Sequence, residues 1–442
     1  SRSPTKLEGG EKQVDYSFSA RHERSRSGRL REGFNAAWQA MFNIWYDPAM
    51  GNHNWDSIRR KYVDAAAGAY DERGLAEIIE LMLGELNGSH LGFTPGMADP
   101  DTDPIPSTGR SFKTTAHLGV RFDAKFPGPG LQVRDVLRNG PGDLETSKLH
   151  AGDILLSIDG KKVDPAADLT EILNGPLDRD IKLVVQRAGD KPNETSEIVV
   201  SIRPISYLRA RNLLYDDWVE RNRQMVEKLS DSKLGYLHIR AMDNSSFVEF
   251  ERQLYNVGYG RQGLVIDVRD NGGGSTTDHL LTSLTQPRHA VTIPRDGGIG
   301  YPHDRMIYAT WSKPIVVLCN QNSYSNAEIF SHAIKALGRG KLVGVRTAGG
   351  VVSTGVARVT DIGVLRAPFR GWFSIVDGKD MELNGALPDY VVWPLPGEMP
   401  SGVDRQLEQA VKVLKEEVAH TPSPPKPKYA TEERKSNPAQ RD

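Results

Sequence analysis

Residues 314–337 have the sequence PIVVLCNQNSYSNAEIFSHAIKAL, which joins two different hydrophobic patterns. Residues 314–319 form a continuous apolar run, typical of a strand buried within a parallel sheet. Beyond position 326 the apolar residues recur at helical spacing. Ser325 therefore lies where a buried strand turns into a helix. Because similar apolar runs occur at residues 263–268 and 341–345, the sequence predicts an α/β domain with a parallel sheet.

A serine at such a corner has two interpretations. Its hydroxyl can be a nucleophile, because the free N–H groups and the positive dipole at the start of a helix stabilise an oxyanion nearby. It can also be an ordinary helix N-cap. The sequence DVRDNGGG at residues 267–274 is similarly open. Three glycines let the backbone approach a substrate closely, as in half of an oxyanion hole, but they also suit a plain turn. A phosphate-binding nest is a further alternative, although the Gly-Lys-Ser/Thr of a P-loop is missing.

The 442 residues suggest about three domains. Residues 28–92 have helical periodicity, with a second helix at 55–70, Asp71 as N-cap of a third, and Gly88 as its end. A stretch rich in Pro, Gly and Asp follows at 95–110, and strand patterns fill residues 114–204. We therefore delimit a helical domain at 13–98, a strand-rich domain at 111–205, an α/β domain at 206–400 and a disordered tail at 421–442.

Composition excludes several classes of function. Lys plus Arg number 56 and Asp plus Glu number 57, so the net charge of −1 gives no reason to expect a nucleic-acid partner. The single cysteine, Cys319, excludes an intrachain disulfide and a cysteine-based metal site. No apolar run reaches 18 residues, so we expect no membrane-spanning helix. No dinucleotide fingerprint or metal cluster is visible, and we predict no cofactor.

Taken together, DVRDNGGG and SYSNAE (residues 323–328) resemble the tail-specific, or carboxyl-terminal processing, serine proteases, and most closely their tricorn branch. The resemblance covers residues 28–400. It implies that Ser325 is the nucleophile and that the backbone N–H groups of Asn326 and Gly273, or less directly Gly272, form the oxyanion hole. It also implies a multidomain α+β fold whose α/β domain is crotonase-like.

The general base separates the two branches of this family. The bacterial enzymes use a lysine about 25 residues after the nucleophile, but the chain has no lysine between Lys341 and Lys379. The tricorn branch takes a histidine from a Ser-His pair in the helical domain, which corresponds here to Ser89 and His90. A glutamate near the C-terminus completes a Ser–His–Ser–Glu tetrad, and ELNGALPD (residues 382–389) supplies Glu382.

Two other histidines compete with His90 for the role of base. His332 lies seven residues after Ser325 in the same predicted helix, about 10 Å away at 1.5 Å per residue, which is too far for proton transfer. His279 follows the glycine-rich loop and is the better rival. The residue that sets cleavage preference is not evident from the sequence, and Asp278, Asp296 and Asp304 are candidates by charge alone.

The resemblance further implies a PDZ-like domain at residues 111–205, with Leu118, Gly119 and Val120 in its carboxylate-binding loop. It implies peptide substrates, a homo-hexamer and a cytoplasmic location. The tricorn branch carries two β-propellers before this core, and nothing in the 442 residues resembles a propeller. We therefore expect either a fragment or a shortened member.

Two other classes of function stay open at this point. The chain could be a peptide-binding scaffold in which the PDZ-like domain acts without catalysis. It could also be an acyl-CoA enzyme, since a crotonase-like domain has an oxyanion hole of its own. Fold alone does not decide between them.

Overall fold

The computed structural model describes residues 25–96, 114–175, 177–189, 191, 194–296, 298, 300–302, 304, 309–422 and 427–431. Most of the predicted linker at 95–110 and most of the predicted tail at 421–442 lie outside these residues. The helices are α1 (Arg26–Ile44), α2 (Trp55–Ala67), α3 (Glu72–Gly84), α4 (Leu169–Leu173), α5 (Tyr207–Leu229), α6 (Asn244–Asn256), α7 (Thr277–Thr285), α8 (Asn326–Ala336) and α9 (Arg405–His420).

The strands are short and fall into four sheets. They are β1 (Gly92–Pro95), β2 (Ala116–His117), β3 (Val120–Phe122), β4 (Leu131–Val136), β5 (Ile154–Ile158), β6 (Lys161–Lys162), β7 (Ile181–Ala188), β8 (Thr195–Ile202), β9 (Ile205–Ser206), β10 (Leu234–His238), β11 (Gly263–Asp267), β12 (Ile315–Cys319), β13 (Lys341–Gly344), β14 (Ser353–Val359), β15 (Gly363–Arg370) and β16 (Tyr390–Val391). Of the helices described, none combines the length and hydropathy that a membrane span requires.

The chain divides into two compact units. Of the described residues, the first, here called the helical unit, comprises those within 25–96 and 352–371, and the second, the larger unit, comprises those within 114–351 and 372–431. The predicted α/β segment 206–400 takes in 352–371, which the structure assigns to the helical unit. The reason is strand pairing, because β15 forms an antiparallel ladder with β1 and with β14.

The helical unit packs α1, α2 and α3 against the sheet β1-β15-β14. Its predicted helices are confirmed, and Asp71 caps α3 by accepting a hydrogen bond from the Gly74 N–H. The prediction for Gly88 is wrong, because α3 ends at Gly84. Gly88 instead lies against Trp45, where a Cβ would come within 2.3 Å of the indole ring. A close approach, and not a helix stop, is what requires glycine there.

The larger unit contains the predicted parallel sheet, in the order β10-β11-β12-β13-β16. Helices α5 and α9 cover one face, and α6, α7 and α8 cover the other. Both faces are therefore buried, which explains why these strands are continuous apolar runs in the sequence. The same unit contains the strand-rich region, an antiparallel sheet β3-β4-β5-β7-β8 with its own apolar core.

Candidate functional site

Ser325 lies at the corner where β12 gives way to α8, as predicted. Its backbone has φ +57° and ψ −118°, a conformation that is strained for a residue with a side chain. Its N–H donates to Glu328 Oε1 at 3.0 Å, so the first turn of α8 holds the strained residue in place. A sharp strand-to-helix turn of this kind presents a serine hydroxyl beside helix-terminal N–H groups.

The loop after β11 brings Gly273 against this corner. Gly273 has φ +93°, and a Cβ there would lie 2.7 Å from the Ser325 Cβ and 3.0 Å from the Asn326 backbone nitrogen. Tyr324 N–H also donates to Asn271 O at 2.9 Å, which joins the two loops. The three residues Gly273, Ser325 and Asn326 therefore lie together.

The side chains of Asn271, Thr277 and Asn326 hold the loop and the helix start in place. Of these residues only Asn326 was singled out from the sequence, and only for its backbone N–H. Asn271 Oδ1 accepts the Gly273 N–H at 2.9 Å, so this predicted oxyanion donor already has a partner. Asn326 Oδ1 accepts the Thr277 N–H at 2.9 Å, and Thr277 Oγ1 donates back to Asn326 O at 2.8 Å. The start of α7 is thereby fixed to the start of α8.

Substitution of Gly273 by alanine is expected to slow reaction of Ser325 with a fluorophosphonate by about 10²–10³-fold, the usual effect of losing one oxyanion donor. The added Cβ would displace either the loop or the serine. Gly260→Ala is the matched control, because Gly260 also has a positive φ, +71°, but has nothing within 4 Å of a Cβ. Equal labelling rates for the two variants would contradict the assigned role of Gly273.

Glu328 is a buried carboxylate directly below the corner, fully shielded from solvent. Besides the Ser325 N–H it accepts hydrogen bonds from Thr347 Oγ1 at 2.6 Å and from the N–H groups of Gly349 and Gly350. Four donors thus converge on one side chain, which therefore ties α8 to the loop at residues 347–351. The signal in the sequence was the glutamate three residues after the serine, the spacing of a capping box.

The same loop carries the link to Glu382, which is 4% exposed. Val351 N–H donates to Glu382 Oε2 at 2.9 Å, and Leu383 N–H donates to Gly349 O at 2.8 Å. The structure therefore connects the Ser325 corner and Glu382 through one hydrogen-bonded loop of the larger unit.

Glu328 also gives the chain a predictable pH dependence. Burial raises the pKa of Glu328, although the hydrogen bonds from Thr347, Gly350, Gly349 and Ser325 oppose the shift. The native chain therefore binds this proton more tightly than the unfolded chain does. The stability contributed by Glu328 is greatest below about pH 4.3 and is lost as pH rises through the native pKa. Urea unfolding across that range should show a flatter pH dependence for Glu328→Gln, but an unchanged one for the exposed control Glu408→Gln.

A buried charge cluster lies under the glycine-rich loop. Arg269 pairs with Asp267 at 2.7 Å and with Asp404 at 2.9 Å, and all three side chains are at most 6% exposed. Burial opposes ionisation of Asp267, but the charge and hydrogen bonds of Arg269 hold its pKa below the usual value. Because Asp404 is the N-cap of α9, the cluster fixes the end of β11 to that helix.

Arg269→Met is expected to lower the free energy of unfolding by about 3–5 kcal/mol, since it leaves two buried carboxylates without their partner. Arg252→Met is the control, because Arg252 pairs with Glu249 on an exposed surface, where such pairs contribute about 0–1 kcal/mol. Urea denaturation measures both. Similar losses in the two variants would show that the cluster is not energetically coupled to the fold.

Ser89 and His90 follow α3 in the helical unit. Ser89 Oγ lies 2.7 Å from His90 Nδ1, within hydrogen-bond distance. His90 has φ +60°, another strained backbone conformation for a non-glycine residue. A hydrogen bond at Nδ1 fixes the orientation of the imidazole ring, so that the other ring nitrogen, Nε2, points away from Ser89.

The rival histidines have structural contacts. The His279 ring packs 5.2 Å from the Phe247 ring, and His332 Nε2 donates to Asn384 O at 3.2 Å. In the strand-rich region, the Gly119 N–H donates to His117 Nδ1 at 2.9 Å, within the predicted carboxylate-binding loop. Leu118 and Val120 of that loop are buried. In the part of the chain that the structure describes, no cluster of three or more His, Cys, Asp or Glu side chains is placed to hold a metal ion.

Comparison with known families matches two regions of the chain. Residues 233–392 match peptidase family S41, and residues 30–84 match the tricorn protease C1 domain. The first match contains the Gly273 loop, the Ser325 corner and Glu382. The second ends shortly before the Ser89–His90 pair.

Individual proteins are similar over almost the whole chain. It is 27% identical over 433 residues to a putative tricorn protease homolog 2 of Streptomyces coelicolor, which covers 94% of the chain and 35% of that protein. It is 28% identical over 394 residues to the tricorn protease of Thermoplasma volcanium, covering 87% of the chain and 36% of that protein. The crystal structure of the tricorn protease superposes with a TM-score of 0.69 at 25% identity, covering 89% of the chain and 37% of that structure. The chain thus spans about a third of the length of these relatives.

Proposed function

We propose that this chain, which carries a peptidase family S41 domain and a tricorn C1 domain, is a serine peptidase that cleaves peptides through an acyl-enzyme. The observation that carries the proposal is the corner at Ser325. A strained serine at a helix N-terminus lies against a glycine that no other residue could replace without a clash. Such an arrangement suits nucleophilic attack. An ordinary helix N-cap requires neither the strained backbone nor the close glycine.

In the proposed mechanism Ser325 Oγ attacks a peptide carbonyl while His90 Nε2 accepts its proton. The N–H groups of Asn326 and Gly273 stabilise the oxyanion, so the Gly273 N–H must exchange Asn271 Oδ1 for the substrate oxygen on binding. His90 then protonates the leaving amine, and water hydrolyses the acyl-enzyme.

Ser89 and Glu382 are proposed as the groups that orient and polarise His90. The short contact between Ser89 and His90 Nδ1 supports the first role. The burial of Glu382, and its connection through the 347–351 loop to the nucleophile corner, support the second. The proposed tetrad combines Ser89 and His90 of the helical unit with Ser325 and Glu382 of the larger unit.

The strand-rich region is proposed as a PDZ-like module that binds peptide carboxylates at Leu118, Gly119 and Val120. The positive φ of Gly119, +76°, suits a tight backbone loop. A homo-oligomeric assembly and a cytoplasmic location stay predictions from the family resemblance.

The test is labelling with a fluorophosphonate followed by hydrolysis of a fluorogenic peptide library. We expect one covalent adduct, on Ser325, and cleavage of a subset of the peptides. Peptide binding without labelling or cleavage would favour the scaffold. Labelling accompanied by turnover of acyl-CoA esters, and not of peptides, would favour the acyl-CoA enzyme.

A further inference from the structure

The larger unit contains a cavity of about 680 Å³ beside the second half of α8. A short hairpin at residues 372–381 borders it, closed by hydrogen bonds from Met381 N–H to Trp372 O and from Ser374 N–H to Lys379 O, each 2.8 Å long. The cavity lining also includes Gly385 of the loop that follows Glu382. No residue assigned to the proposed mechanism lines this cavity.

Several charged side chains face the cavity, and most of them already have partners. Lys335 lies 3.5 Å from Asp389, and Lys379 lies 3.5 Å from Asp377. Asp380 accepts the Glu382 N–H at 2.9 Å. Among the described residues of the lining, these contacts leave one arginine or lysine without an ion-pair partner.

Arg346 is that cation. Its guanidinium donates to Leu383 O at 3.2 Å and to Asn384 Oδ1 at 3.4 Å, and both acceptors are uncharged. Within the described residues, no carboxylate lies within ion-pair distance of Arg346. The two hydrogen bonds hold the planar group in place, while its remaining N–H donors have the geometry that suits a carboxylate.

The cavity lies within reach of a peptide held at Ser325. His332 lines it and follows Ser325 by seven residues along α8, a separation of about 10 Å at 1.5 Å per residue. About three residues of extended peptide span that distance at 3.3 Å each. A group bound in the cavity can therefore belong to the same peptide as the bond being cleaved.

We propose that the cavity binds a carboxylate of the peptide substrate, with Arg346 as the residue that recognises it. This inference rests on the proposed peptidase function and supplies a specificity determinant for it. The carboxylate belongs either to the peptide C-terminus or to an acidic side chain about three residues from the scissile bond.

The test measures binding by titration calorimetry with the Ser325→Ala chain, so that it does not depend on turnover. The probes are a cleaved hexapeptide from the library as free acid and as C-terminal amide, and the amide form with Glu or Gln at each position in turn. We expect about tenfold tighter binding of one carboxylate-bearing form, the effect of one charge-assisted contact. The free acid or the Glu form identifies the source of the carboxylate.

Variants then assign the effect to the cavity. Arg346→Gln should remove the tenfold preference, Arg346→Lys should retain part of it, and the exposed control Lys412→Gln should retain all of it. In the Ser325-containing parent the same preference should appear in KM with little change in kcat. Equal binding of all probes, or a preference that survives Arg346→Gln, would overturn the inference. Failure of the peptidase proposal is separate, because it would appear as absence of labelling and cleavage in the parent.

Discussion

Replacing Ser325 by alanine is expected to lower kcat for peptide hydrolysis by about 10⁴–10⁶-fold, the range seen when a catalytic serine is removed. The variant keeps the backbone N–H that binds Glu328 and keeps the Cβ, so only the hydroxyl oxygen is lost. The free energy of unfolding should fall by no more than about 0.5–2 kcal/mol, the range for losing the side chain of a helix N-cap. Steady-state hydrolysis and urea denaturation measure the two quantities.

Ser331→Ala is the matched control for this variant. Ser331 is a buried serine on the same helix, whose hydroxyl donates to Ala327 O at 2.9 Å. Its loss should reduce stability and leave turnover per folded molecule nearly unchanged. Hydrolysis that survives Ser325→Ala would place the nucleophile at another residue and remove the basis of the proposed mechanism.

Replacing His90 by alanine is expected to reduce kcat on a similar scale, about 10⁴–10⁶-fold, because the serine then has no base. Fluorophosphonate labelling should slow as well, since that reaction also needs the activated hydroxyl. His279→Ala is the control, because His279 packs on Phe247 and was the rival candidate from the sequence.

The Ser325→Ala and His90→Ala variants test the assignment of the nucleophile and the assignment of the base separately. Loss of activity in both Ser325→Ala and His90→Ala supports the Ser–His mechanism. Loss in Ser325→Ala and in His279→Ala, with His90→Ala active, would keep the nucleophile and assign the base to the other histidine. The pH dependence of kcat/KM in the surviving variant would then report the group that replaces His90.

The parallel sheet and the Ser325 corner could be predicted because their signals are local. A strand buried on both faces is a continuous apolar run, and the capping residues of a helix lie within four positions of each other. The close approach at Gly273 could also be predicted, since three consecutive glycines indicate a backbone that lies close to another group.

The remaining features depend on contacts between distant positions. Arg269 finds its second partner 135 residues away, at Asp404, and Glu328 binds a loop about 20 residues downstream. No short pattern indicates such pairings. The same holds for Gly88, whose small size is required by Trp45, and for Arg346, whose surroundings come from the segment after Glu382.

The helical unit is not continuous in sequence, which has a consequence for synthesis on the ribosome. Strands β14 and β15 supply Val359 and Leu365, and the turn between them supplies Ile362, to the core formed by α1, α2 and α3. At about 5–20 residues per second, these strands follow β1 after a delay on the order of tens of seconds. During that interval the parallel strands β10 to β13 are translated, while the first three helices still lack part of their apolar partner. The helical unit is therefore begun first and completed only after the parallel strands and the Ser325 corner have been translated.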